Sequence, residues 1–305
     1  MGKRSILHML DPMPHNSPFD INMALDAGFD MMVPYNNVKL DSIQGLIQDA
    51  IFSRGPAGVK QTAVFIGGRD LGLAMNMMSA SKQAMVPPFE ISVFADPSGA
   101  FTTAAALVAS VEKQLKVHHH KELKDCKAVV FGGTGPVGIA SGIIASLAGA
   151  DTTLIDHLSL DVAEDAAKEY NRLCKSSLKG AVAGSDDEKI KILSEVDLVF
   201  CTAKAGIQVL SPDVLKETQS LKVAGDVNAV PPAGIAGIKA KDMGSPLIHA
   251  SSANNAVGVG SLAVGNIKYQ LQNKLLKSML LKGQEEYKAA FLDFRDAFSF
   301  AREIV

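Results

Sequence analysis

Residues 127–156 read KAVVFGGTGPVGIASGIIASLAGADTTLID. An apolar run, KAVVFGG, meets Gly132, Gly133, Gly135 and Gly138, then a segment of Ala and Ile, then a second apolar run ending on Asp156. That order predicts a strand, a tight turn, a helix and a second strand. Gly133-Thr134-Gly135-Pro136-Val137-Gly138 fits G-x-G-x-x-G in the setting that gives the pattern its meaning. Missing side chains allow the tight turn and let phosphate oxygens reach the backbone. Exposed N–H groups and the helix dipole favour negative charge there. Gly133, Thr134, Gly135, Pro136, Val137 and Gly138 are therefore expected to cradle the diphosphate of a dinucleotide. The plain alternative is a close-packed turn without a ligand.

A dinucleotide site also needs an acidic ribose partner about 20 residues further on. Asp156 follows Gly138 by 18 residues and ends the run TTLID. Its carboxylate would accept both hydroxyls of the adenosine ribose and repel a 2′-phosphate. No arginine follows, only His157 and Ser159, which favours NAD over NADP. The alternative reading is that Asp156 caps the helix beginning near Leu158.

The same alternation runs through most of the chain. Strands are expected at 4–10, 30–35, 61–68 and 89–96, and helices at 17–28, 40–53, 70–85 and 102–116. Ser17 is the expected N-cap of the first helix, with Asp20 in a variant capping box. A polar segment, 117–126, precedes the glycine-loop strand, and further strands are expected near 152–155, 179–183, 197–203 and 221–226. Strands alternating with helices, without two-residue hairpins, argue for parallel sheets covered on both faces. The expected fold is therefore α/β with two domains, each holding a mostly parallel sheet flanked by helices. Residues 1–122 plus 262–305 would form a substrate domain and 123–261 a Rossmann-type cofactor domain. The C-terminal helices would return to the first domain, with no strand expected after residue 261.

Composition narrows the function classes. Of 305 residues, 47% are hydrophobic and the net charge is −2, with no basic block, which argues against nucleic-acid binding. No run of about 18 apolar residues suggests a membrane span, and a cytoplasmic protein is expected. Cys126, Cys174 and Cys201 stand at no metal or redox spacing. His118-His119-His120 lacks an acidic or cysteine partner nearby and reads as a solvated linker, so no metal is expected.

The pattern at 262–281 carries a second clue. Val264, Ile267, Leu271, Leu275 and Met279 form an apolar helical stripe, and Lys268 sits inside it. A lysine there is costly unless its charge is used, paired or carried to water. It either snorkels at a domain edge or points into a cleft. SPFD and DPSGAFTTAAA stand where first-domain strands give way to helices, the ligand edge of open α/β sheets. Phe19 is a flat surface for an aromatic substrate or a core residue. Thr102 and Thr103 are site residues or helix caps.

SPFDINMALDAGFD, IFSRG, AVFIGG, DPSGAFTTAAA, GGTGPVG and above all DVNAVPPAGIAGI (226–238) followed by GVGSLAVGNIKYQ resemble one family over nearly the whole chain. It is the NAD(P)-dependent methylene-tetrahydromethanopterin dehydrogenases of methylotrophic bacteria, in the branch that uses either cofactor. The resemblance implies a fold related to the methylene-tetrahydrofolate dehydrogenases. It also implies a homo-oligomer in which a neighbouring subunit helps wall the cleft. The implied reaction oxidises a methylene bridge between two nitrogens to a methenyl bridge, passing hydride to the nicotinamide, in formaldehyde oxidation and one-carbon metabolism.

Carried over by position, Phe19 matches the pterin-stacking phenylalanine and Thr103 the active-site threonine. After a one-residue shift, Lys268 takes the place of a histidine and Val264 that of a lysine found in the strictly NADP-dependent branch. Asp156-His157 stands where that branch has an arginine. The expected catalytic set is thus Lys268, Thr103, Phe19 and Asp20. His157, Ala203 and Asn228 join the glycine loop and Asp156 in the cofactor set. Two rivals stand beside this reading: a methylene-tetrahydrofolate dehydrogenase, and a dinucleotide-sensing protein without turnover.

Overall fold

The first apolar runs become strands and the segments between them helices. β1 (Ile6–Leu10), α1 (Pro18–Asp26), β2 (Met31–Tyr35), α2 (Ile43–Phe52), α3 (Gly55–Val59), β3 (Thr62–Ile66), α4 (Leu71–Gln83) and β4 (Ser92–Ala95) lead into the long α5 (Ala100–His119). The structure is a computed structural model describing residues 3–251, 255–280 and 288–305. The glycine-loop region follows with β5 (Lys127–Phe131), α6 (Pro136–Leu147), β6 (Asp151–Asp156), α7 (Leu160–Cys174), β7 (Lys179–Val182), α8 (Asp186–Leu193), β8 (Leu198–Cys201), α9 (Pro212–Lys216) and β9 (Val223–Asp226). The chain ends with β10 (Met243–Pro246), β11 (Val257–Val259), α10 (Ser261–Ser278), β12 (Phe291–Leu292) and α11 (Phe294–Ile304).

The chain divides into two compact units, one of residues 1–102 and 269–300, the other of residues 103–268 and 301–305. In the first, five parallel strands take the order β12-β4-β3-β1-β2. β3 and β4 are buried along their whole length, as strands covered on both faces must be. Phe65 and Phe94 meet edge to face on these strands at 5.5 Å, and Phe101 meets Phe294 the same way at 5.3 Å.

In the second unit seven strands take the order β10-β11-β9-β8-β5-β6-β7, all parallel except β10. The chain winds outward from β5 through β6 and β7, then restarts at β8 and winds the other way through β9 and β11. The reversal falls between β5 and β8, the switch point where doubly wound sheets open a crevice. Val129, Phe131, Val199, Leu215 and Ile235 lie in the apolar cluster on one face of this sheet.

Four local expectations need correction. Ser17 occupies the N-cap position of α1 but makes no side-chain cap, and Pro18 opens the helix. Asp20 does not close a capping box; it is buried and accepts a hydrogen bond from Gln272 Nε2 at 2.7 Å. The presumed linker begins later than expected, because α5 runs through His118 and His119, and His119 Nε2 lies 3.2 Å from the Lys222 carbonyl. A strand does follow residue 261, since β12 pairs in parallel with β4. The end of the helical pattern expected near residue 281 lies outside the described residues. Among them, no helix is long and apolar enough to cross a membrane.

The last turn of α11 is tied to α5. Glu112, only 5% exposed, receives Arg302 Nε at 2.6 Å and Arg302 Nη2 at 2.8 Å, with Lys116 Nζ at 3.1 Å. Arg302→Met should lower stability by about 1–2 kcal/mol, because a buried carboxylate loses its bidentate partner while that partner is itself half-exposed. Glu112→Gln in the same chain should recover part of the loss. Thermal unfolding of the wild-type chain and the two variants checks this.

Candidate active site

β5 ends at Phe131 and α6 opens at Pro136, with Gly135 as its N-cap residue. Three glycines of this connection are demanded by the protein itself: a Cβ on Gly133 would lie 2.7 Å from both the Ile155 amide nitrogen and the Val130 carbonyl oxygen, and Gly132 and Gly138 are as tightly placed. Gly132 has φ of +71°, and a Cβ on it would lie 2.7 Å from the backbone N and Cα of Ala203. A Cβ on Gly138 would lie 2.2 Å from the Gly132 carbonyl oxygen and 2.8 Å from Thr202 Oγ1. Gly135 is different. Its φ of −82° suits any residue, and its nearest neighbour would be the Gly132 oxygen at 3.4 Å. The protein leaves the space beside Gly135 open, which is what a closely approaching phosphate requires.

The cradle is narrower than the sequence suggests. Gly133 N–H donates to the Ile155 carbonyl and Gly135 N–H to the Gly132 carbonyl, each at 3.1 Å, and Pro136 has no N–H. Among the described residues, the amides of Thr134, Val137 and Gly138 have no such acceptor. The last two belong to the first turn of α6, where N–H groups have no partner within the helix.

Asp156 stands beside this loop at the end of β6. Its Oδ2 accepts from Thr134 Oγ1 at 2.8 Å, and its Oδ1 accepts from the amides of Leu158 at 2.9 Å and Ser159 at 3.0 Å. Burial alone would raise its pKa. The hydrogen bonds from Leu158, Ser159 and Thr134 together outweigh that and hold it below the usual carboxylate range. The stabilisation it gives the loop is full above the unfolded-state pKa and fades as pH falls through the lowered one. The capping alternative is half right. Asp156 orders residues 157–159, but Ser159 is the N-cap of α7, accepting from Val162 N–H.

A cavity of about 330 Å³ opens here, lined by Gly132, Thr134, Asp156, His157, Ala203 and Ile207. Lys189 and Lys204 line it too. They are the basic groups that the local sequence around Asp156, with only His157 and Ser159 following it, does not bring to view. Lys189 Nζ pairs with Asp186 Oδ1 at 2.9 Å. Thr202 was also missed: its hydroxyl donates to the carbonyls of Phe131 at 2.9 Å and Gly132 at 3.2 Å, fastening the end of β8 to the loop. Asn228 serves the neighbouring backbone. Its Oδ1 accepts from Gly206 N–H at 3.1 Å and Val230 N–H at 3.0 Å, and its Nδ2 donates to the Pro232 carbonyl at 2.8 Å.

The expected catalytic residues divide between the units. In the first, Phe19 is 46% exposed, which removes the core reading, and the adjacent Asp20 is held by Gln272. Asp96 is fully buried and accepts from Phe101 N–H, Thr102 N–H and Thr102 Oγ1, so Thr102 is spent at the start of α5. In the second unit, Thr103 and Lys268 are half-buried. Val264, Ile267, Leu271, Leu275 and Met279 are all buried along α10, so Lys268 does interrupt a buried stripe.

Residues 18–98 match the family described as methylene-tetrahydromethanopterin dehydrogenase, N-terminal. The chain is 43% identical over 304 residues to the NAD(P)-dependent methylenetetrahydromethanopterin dehydrogenase of Methylorubrum extorquens, covering 99% of both chains. It is 30% identical over 301 residues to the bifunctional protein MdtA of the same organism, again covering 99% of both. Among solved structures, shikimate 5-dehydrogenase from Listeria monocytogenes, in complex with shikimate and NAD, superposes with a TM-score of 0.51 at 13% identity, covering 100% of this chain and 97% of that one. Quinate dehydrogenase from Corynebacterium glutamicum, in complex with NAD, gives 0.51 at 13%, covering 98% of each. These two likenesses establish the fold.

The contrast between the glycines can be tested. Gly138→Ala should lower the melting temperature by several degrees, because its Cβ meets rigid backbone. Gly135→Ala should leave the melting temperature nearly unchanged while weakening NAD binding about tenfold or more, as read by titration calorimetry.

Proposed function

The chain belongs to the NAD(P)-dependent methylenetetrahydromethanopterin dehydrogenases, and from that premise we propose that it oxidises methylene-tetrahydromethanopterin to methenyl-tetrahydromethanopterin by direct hydride transfer to NAD or NADP. The setting would be formaldehyde oxidation in one-carbon metabolism. The observation that carries the reading is the space kept open at Gly135, at the switch point of a parallel sheet, in a chain aligned end to end with that relative.

The residues fit a dinucleotide. The amides of Thr134, Val137 and Gly138 are the candidates to hold its diphosphate, and Asp156 its adenosine ribose. When bound, the nicotinamide supplies the hydride acceptor. Asp156 stays ionised at neutral pH and disfavours a 2′-phosphate, while Lys204 in the same cavity offsets part of that repulsion. This supports acceptance of both cofactors with a preference for NAD.

The chemistry asks little of an acid or base. The product is a resonance-stabilised N–C–N cation, so the protein's task is to hold two flat groups in reacting position. Phe19 offers an exposed ring for the pterin, and Gln272 fixes Asp20 beside it. Thr103 and Lys268 are assigned to substrate orientation. A full positive charge near a forming cation is unfavourable, so Lys268 is assigned to an electron-rich ring or carbonyl of the substrate. A homo-oligomer in the cytoplasm completes the reading, and light scattering measures its size.

Turnover with methylene-tetrahydromethanopterin is expected with NAD and, more weakly, with NADP. Absence of turnover with both, or faster turnover of methylene-tetrahydrofolate at equal concentration, would overturn the assignment. Asp156→Ala should raise the NADP-to-NAD ratio of kcat/KM about tenfold. Lys268→Met should lower kcat/KM for the pterin about tenfold or more while leaving NAD affinity unchanged.

A further inference from the structure

A second cavity of about 180 Å³ lies wholly in the unit that carries the glycine loop, and Asp226, Asn228, Pro231, Ile238 and Ser261 line it. It sits beyond the C-terminal ends of β9 and β11. β9 is separated from β5 only by β8, so it lies roughly 10 Å from the glycine-loop strand. The two cavities flank one connection. Ala203, Lys204 and Ile207 line the first, and Gly206 N–H is held by Asn228 of the second.

Ser261 has a feature unique among the described residues. Its Oγ is the one buried side-chain oxygen or nitrogen without a hydrogen-bond partner, in a residue 92% buried by its 8% exposure. It does not cap α10. The Ala240 carbonyl does that, accepting from Leu262 N–H at 2.7 Å and Ala263 N–H at 3.1 Å. Gly260 lets the chain come this close, since a Cβ there would lie 2.0 Å from the Lys239 carbonyl oxygen. Ser261 is thus fixed at the cavity wall with an unspent hydroxyl. Leaving a buried hydroxyl unpaired is costly, and turning it about χ1 toward the cavity breaks no bond.

Lys239 lines the cavity too, its amide donating to Asp242 Oδ2 at 2.7 Å, and the polar groups of Asp226 and Asn228 are largely committed. Asp226 Oδ1 accepts from Asn228 N–H and Oδ2 from Ile235 N–H. Asn228 Oδ1 takes two amides, and one hydrogen of its Nδ2 goes to the Pro232 carbonyl. The cavity therefore offers donors, the Ser261 hydroxyl and the second Asn228 amide hydrogen, with Lys239 at its wall, beside the apolar surfaces of Pro231 and Ile238. A flat ring bearing a carbonyl acceptor meets that chemistry. Resting on the dinucleotide reading of the glycine loop, we propose that Ser261 turns its hydroxyl into this cavity and donates to the carboxamide oxygen of the nicotinamide, orienting the ring for hydride transfer.

The test compares NAD with ADP-ribose, which lacks the nicotinamide, by titration calorimetry on the wild-type chain and on Ser261→Ala. ADP-ribose affinity should be unchanged and NAD affinity about 5- to 10-fold weaker in the variant. The ligand-free melting temperature should stay the same or rise, because no hydrogen bond is lost. An unchanged NAD affinity, an equal loss for both ligands, or a lower ligand-free melting temperature would overturn the proposal. The last would mean that the hydroxyl serves a structural partner such as a buried water. If the wild-type chain binds neither ligand, the dinucleotide reading itself fails, a result distinct from the others.

Discussion

The second unit depends on one contact between bare backbones. Without side chains at Gly132 and Gly138, the exit of β5 rests directly on the exit of β8, with the Thr202 hydroxyl bridging the two. That approach sets where α6 begins. It also carries Thr134 to Asp156, so the loop after β5 and the loop after β6 hold one another. The first cavity is what remains between these loops and the 203–209 connection. A methyl group on Gly138 would push the β5 exit away from β8 and disturb all of these relations together.

The sequence shows most clearly what is local and repeated. β3, β4 and β8 are short, mostly apolar runs because both faces of each are covered, and such runs stand out between helices. The glycine loop and Asp156 were legible for the same reason: a strand, a turn, a helix and a strand are contiguous. The extra turn of α5 was not. Two of its three residues are histidines, and Gly244 packs against this end of α5 so closely that a Cβ on it would lie 2.3 Å from Gln114 Oε1 and 2.9 Å from His118 Nε2. β10, β11 and β12 have four, three and two residues, and MGSP has no strand pattern at all; their pairing comes from the strands beside them.

The candidate site divides along the same line. Lys189 and Lys204 reach the Asp156 cavity from segments far along the chain, and nothing in their local sequence marks them. Nothing in the sequence singles out Ser261, since a hydroxyl without a partner exists only once the fold has enclosed it. The charges tell a similar story. Asp156 is marked by its place at the end of a strand, whereas the two lysines that share its cavity, Lys189 paired with Asp186 and Lys204, come into view only with the fold.

One edge of the seven-stranded sheet ends in β10, the single strand that runs against its neighbour. Its pairing with β11 is irregular between Met243 and Ser245, and it finishes on Pro246, which has no amide hydrogen to offer. A short, kinked border of this kind is a poor template for an incoming strand. An edge of this kind disfavours fusion of the sheets of two copies along this margin into a continuous ribbon.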